Sequence, residues 1–61
     1  MNKRITNVNP GERFQHEGHL HTVVSNKEHT VRVNRNILQL RDRFGIVQTY
    51  TFEANKTVKT F

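Results

Sequence analysis

Ile46-Val47-Gln48-Thr49-Tyr50-Thr51-Phe52-Glu53-Ala54 is the stretch that decides the fold. It alternates with period two, so Ile46, Gln48, Tyr50, Phe52 and Ala54 share one face while Val47, Thr49, Thr51 and Glu53 share the other. That period matches a β-strand with one buried face, and the face carrying Tyr50 and Phe52 is the one expected inside. Upstream, Asp42-Arg43-Phe44-Gly45 ends in a glycine that tolerates positive φ, which makes it a hairpin connection to Ile37-Leu38-Gln39-Leu40-Arg41. Downstream, Asn55-Lys56 reads as a two-residue turn into Thr57–Phe61, a last hairpin that would close the domain.

The same pattern continues towards the N-terminus. Thr30-Val31-Arg32-Val33-Asn34 alternates and is connected to Ile37 by Arg35-Asn36, while Leu20–Ser25, rich in Val and Thr, ends at the polar turn Asn26-Lys27-Glu28. Asn34–Phe44 also places Ile37, Leu38, Leu40, Arg41 and Phe44 at spacings that one short turn of helix would use. Asn9-Pro10-Gly11-Glu12 is the strongest turn signal, because proline presets one φ and glycine permits the next. It separates a strand at Ile5–Val8 from one at Arg13–His16.

These segments make residues 1–61 one all-β domain, an antiparallel meander of five to seven short strands without a crossover helix. With its Pro10-Gly11-Glu12-Arg13-Phe14 entry, the chain resembles in outline the small SH3-like barrels and KOW-type modules, whose first strand often follows a Pro-Gly-acidic turn. That resemblance implies a rolled-up barrel. The alternative is a strongly curved open sheet that pairs with a second copy and so protects its edges.

Sixty-one residues hold one thin core. Zero cysteines remove disulfide support, leaving self-association as a homodimer or a histidine-bound metal to reinforce it. The lack of cysteine also fits a reducing compartment, so a cytoplasmic location is expected. No apolar run approaches the ~18 residues a membrane span requires, and no membrane partner is expected.

Charge is the other informative property. Ten Lys and Arg against five Asp and Glu give +5. If Val31, Val33, Leu38 and Leu40 point inward, Arg32, Asn34, Gln39 and Arg41 point outward on neighbouring strands, with Arg35 and Arg43 in adjoining turns. Guanidinium groups neutralise phosphates, Asn and Gln bond phosphates or base edges, and Phe44 beside Arg43 is the aromatic best placed for exposure. The expectation is a non-catalytic module binding nucleic acid through this Arg-rich face. The alternative is a protein-interaction module, such as a small, virus-encoded inhibitor or assembly factor, binding an acidic protein partner.

His16, Glu17, His19 and His21 form a histidine-rich segment, and the His19-x-His21 pair projects from one strand face. A site built from them would be open and short of the four ligands zinc prefers, so no metal is assigned. His29 is expected across the Asn26-Lys27 turn from this pair. No phosphate loop or cysteine nucleophile is present, and the carboxylates are scattered, so neither enzymatic activity nor a cofactor is expected.

Overall fold

The computed structural model describes all residues 1–61. Six strands form two antiparallel sheets: β1 (Asn2–Arg4), β2 (Arg13–His16), β3 (His19–Glu28), β4 (Arg35–Arg41), β5 (Val47–Glu53) and β6 (Thr57–Lys59). β2-β3-β4-β5 is a four-stranded meander, and β1 pairs with β6 in a second, two-stranded sheet. The two sheets meet where Phe14 bridges Thr60 and the Phe61 amide donates to the Arg13 carbonyl at 2.9 Å. They do not close into a barrel.

Each connection has a local cause. Glu17 (φ 53°) and Gly18 (φ 79°) both have positive φ between β2 and β3, the conformation of a type I′ hairpin. Between β4 and β5, the Gly45 amide donates to the Asp42 carbonyl while Asp42 Oδ1 accepts from the Phe44 and Ile46 amides at 2.8 and 3.0 Å. Gly45 (φ 82°) completes this three-residue hairpin. At Asn9–Glu12 the Glu12 amide reaches the Asn9 carbonyl, with Pro10 and Gly11 (φ 91°) as the central pair of a type II turn.

The core lies between the four-stranded sheet and the N-terminal segment. Ile5, Val8, Phe14, Val23, Leu38, Leu40 and Phe52 fill it, with Tyr50 and Val58 packed alongside. Only 10 of 61 residues are buried, so the core is as thin as the length implies. Asn26 ties the layers together: its Nδ2 donates to the Ile5 and Val8 carbonyls, both at 2.8 Å, and its Oδ1 accepts from Asn36 Nδ2 at 2.9 Å.

Several sequence expectations are overturned. Thr30–Asn34 is a loop, with Val31 and Val33 each 83% exposed. Its alternation finds no partner strand, and the loop is held by its own start, where His29 Nδ1 accepts from the Val31 and Arg32 amides at 3.1 and 3.0 Å. Arg35-Asn36 and Asn26-Lys27-Glu28, read as turns, lie inside β4 and β3. The reason in β3 is a bulge between Val23 and Ser25: one extra residue reverses the alternation, so a polar Asn26 faces inward and hides the strand's continuation.

Ile5–Asn7 is a 3-10 turn, the strand before it being β1. The last turn centres on Ala54-Asn55, closed by the Lys56 amide on the Glu53 carbonyl, and it sends β6 to β1, so β5 and β6 form no hairpin. Asn34–Phe44 contains no helix. Ile46 and Gln48 remain exposed on the face expected to be buried, where packing reaches Phe52 and Tyr50, the latter against the His16 and His21 rings.

Candidate nucleic-acid interface

The side of the four-stranded sheet turned away from the core carries the residues that can bind an anion. Register fixes its composition. Arg13 lies opposite Thr22, Thr22 opposite Arg41, and Arg41 opposite Val47, a row that crosses all four strands. Directly paired residues project to the same side, and strands lie ~4.8 Å apart, so Arg13 and Arg41 start ~10 Å from each other. Ser25, Gln39 and Thr49 form a second row, and Lys27, Ile37 and Thr51 a third. The Ser25 hydroxyl donates to Gln39 Oε1 at 2.9 Å, which leaves the Gln39 amide nitrogen free to donate outward.

Arg35 begins the face at its other end, where it pairs with Glu53 in the strand register. Its Nη2 is 3.8 Å from Glu53 Oε1, and its Nη1 donates to the Asn34 carbonyl at 3.2 Å. The pair is exposed and loose, worth about 0–1 kcal/mol, but it neutralises Arg35 more than the other cations of the face. Glu53 is the one carboxylate on this side of the sheet, against Arg13, Lys27, Arg35 and Arg41.

Beyond Arg41 comes the β4–β5 hairpin, whose Asp42, Arg43 and Phe44 line a recess together with His19 and His21. The Phe44 ring is 73% exposed, with the Arg43 guanidinium 4.8 Å from its centroid. A flat ring backed by a cation is a platform on which a base can stack. The Asp42 side chain locks this tip by accepting two amides, so Phe44 is presented by a fixed turn.

The structure thus divides the seven residues singled out from sequence. Arg35, Gln39 and Arg41 lie on one side of β4, whereas Arg43 and Phe44, at the hairpin tip, line a recess of about 190 Å³ with His19 and His21, which the register puts on the core side. Arg32 and Asn34 are not on the sheet: they belong to the exposed β3–β4 loop at the opposite end, with Asn34 at φ 60°. There they line an open recess of about 450 Å³ together with His29, Arg35 and Asn55. The expected pairing of Arg32 with Arg41 on neighbouring strands is therefore incorrect. Sequence reasoning missed Arg13 and Lys27; Arg13 alternates with the buried Phe14, which was the available signal, whereas Lys27 was concealed by the bulge.

The histidines separate as well. His16 and His21 lie on the core side, in an aromatic group with Tyr50 and Phe52; the His16 ring centroid is 4.7 Å from Tyr50, 5.2 Å from Phe52 and 5.6 Å from His21. Burial lowers the His16 pKa from its ordinary value, the nearby Glu17 opposes that shift, and His21 and Lys56 reinforce it. His16 Nε2 is buried without a hydrogen-bond partner. No three His, Asp or Glu side chains converge as a set able to hold a metal ion. His29 lies at the far end of β3, at the β3–β4 loop, away from His19 and His21.

No helix is long and apolar enough to cross a membrane. No protein-family model matches the chain, and neither a curated protein nor a solved structure matches it.

Proposed function

We propose that this protein is a non-catalytic module that binds nucleic acid across the outer side of its four-stranded sheet. The observation that carries this reading is the Arg13–Thr22–Arg41 row, on a side of the sheet with a single carboxylate. Arg13 and Arg41 neutralise backbone phosphates, Gln39 donates a hydrogen bond from the next row beside Arg41, and Phe44, at the tip beyond Arg41, stacks on an unpaired base that reaches past the end of the sheet. Such a surface favours single strands, whose bases are free to stack. A second reading, docking onto an acidic protein surface, is favoured by the exposed Leu20, Phe44, Ile46 and Val47 at the same end of the molecule, an apolar margin suited to a protein interface.

Fluorescence anisotropy with a random single-stranded oligonucleotide, titrated with salt, tests the first reading. Each phosphate contact contributes ~0.7 to the slope of log K against log salt. Replacing Arg13 and Arg41 together by Ala should lower the slope by about 1.4 and the affinity at least ~10-fold, and Phe44→Ala should weaken binding without changing the slope. Absence of binding at low salt, or binding indifferent to Arg13 and Arg41, rejects the proposal.

A further inference from the structure

β5 is an edge strand with nothing to protect it. Its register with β4 pairs Asn36 with Phe52, Leu38 with Tyr50 and Leu40 with Gln48. The Ala54 amide donates to the Asn34 carbonyl and the Asp42 amide to the Ile46 carbonyl, so even-numbered residues exchange the β4–β5 hydrogen bonds. The amides and carbonyls of Val47, Thr49 and Thr51, with the Glu53 amide, therefore point away from the sheet. Edge strands are normally blunted by lysine, proline, a bulge or a covering segment. Val47–Glu53 has no lysine, proline or bulge, and cover begins only at Ala54, whose carbonyl accepts from the Thr6 amide at 3.1 Å. The opposite edge, β2, is bridged by Thr60 and Phe61 and carries Arg13.

We infer that this edge pairs with β5 of a second copy, joining two four-stranded sheets into one continuous antiparallel sheet of eight strands. The parity of the free groups restricts the register. Odd residues must face odd residues, and full overlap of Val47–Glu53 places the two-fold axis at Tyr50, with Thr49 opposite Thr51 and Val47 opposite Glu53 of the second copy. This arrangement adds about six backbone hydrogen bonds. Across the seam on the core side, Tyr50 meets Tyr50 and Gln48 meets Phe52. On the outer side the threonine pairs supply the β-branched contacts that favour strand pairing.

A second copy fits this edge better than an arbitrary partner does. Despite the +5 charge of each chain, β5 contributes no cation to the seam, and its two Glu53 carboxylates lie at opposite ends of it. No like charges meet. The half-buried Tyr50 and the exposed Val47 both lose solvent contact, which enlarges a core of only seven buried hydrophobic residues in a chain with no disulfide. The seam lies at the small end of the range for specific interfaces, so dissociation constants on the order of 10 µM are expected. This inference does not depend on what the outer side binds.

Sedimentation equilibrium from about 5 to 500 µM should show the mass rising from 7.2 kDa towards twice that value. Thr49→Lys with Thr51→Lys, both at exposed outer positions, should remain monomeric, and an equimolar mixture with Thr49→Glu, Thr51→Glu should restore the dimer. In the wild-type dimer the Thr49, Thr51 and Glu53 amides should exchange as slowly as those of Gln48 and Tyr50, the Val47 amide facing a Glu53 carbonyl that already accepts from Lys56; this measurement decides the matter alone if the lysine variant fails to fold. A wild-type monomer at 500 µM, a dimer that persists in the folded lysine variant, or rapid exchange at those three amides overturns the inference.

Discussion

Asn26 shows how one polar side chain inside a thin core determines the arrangement around it. Its amide nitrogen satisfies two main-chain carbonyls of the N-terminal segment, and its carbonyl oxygen satisfies Asn36, which is almost fully buried. Removing the side chain leaves a buried amide donor unpaired and frees the segment carrying Ile5 and Val8. Asn26→Ala should therefore cost about 2–3 kcal/mol, measured by urea unfolding at neutral pH; a loss below ~0.5 kcal/mol would show that water replaces the amide. His16 acts through protonation instead. Because burial holds its pKa below the ordinary histidine value of 6.5, the folded chain binds its proton less readily than the unfolded chain. Its stability contribution is complete above that value and declines as pH falls below it, until the lower, folded pKa is passed. Urea midpoints should drop between pH 7.5 and 5, and His16→Phe, which keeps a ring against Tyr50 and Phe52, should lessen the drop. Glu12 works in the same direction but only in more acidic solution: its hydrogen bonds with Lys3 and the Asn9 amide hold its pKa below the usual carboxylate value of 4.5.

Turns and strands follow their own chemistry. Glu17 occupies a left-handed conformation that a type I′ hairpin imposes and that glutamate adopts poorly. Glu17→Asn should stabilise the protein by about 0.5 kcal/mol and raise the thermal midpoint by roughly 2–4 °C, whereas an unchanged midpoint would mean that Glu17 recovers the strain through His16, whose Nε2 is 3.4 Å from its Oε1. Asp42→Ala removes both side-chain bonds of the β4–β5 tip and should cost about 1–2 kcal/mol by the same thermal assay. The hairpins were legible in sequence where a residue can act alone. Pro10-Gly11 and Gly45 dictate φ locally, and the alternation of Val47–Glu53 needs only its own period. Thr30–Asn34 failed because alternation describes a ribbon with two faces but not a partner to bond with, and here His29 captures the backbone first. β3 was cut short because a bulge conserves the inward face in space while breaking its period in the chain. The β1–β6 pairing links residues more than fifty apart and leaves no local trace. For the candidate interface, the contribution of β4 was readable from Leu38 and Leu40, but Arg13 joins Arg41 only through the register of an intervening strand.

For the molecule as a whole, a charge of +5 on so small a body opposes compactness. Raising salt from about 10 to 150 mM shortens the Debye length from ~30 to ~8 Å and should raise the thermal midpoint by a few degrees; a falling midpoint would instead indicate that exposed ion pairs such as Arg35–Glu53 dominate. The two-fold pairing at β5 would set two Arg13–Thr22–Arg41 rows on one broad sheet, so oligonucleotide length dependence above and below the dimer's dissociation constant would report both properties together. The small β1–β6 sheet has a kinetic consequence. β2 through β5 are joined by short hairpins and can assemble by local steps, but β1 must find β6 across nearly the full chain. Closing that loop is entropically costly and is rewarded late, so the docking of the first and last strands should form after the folding transition state. Substitutions at Val58 should then quicken unfolding while leaving the refolding rate nearly untouched, and this clasp sets how long the folded state survives between openings.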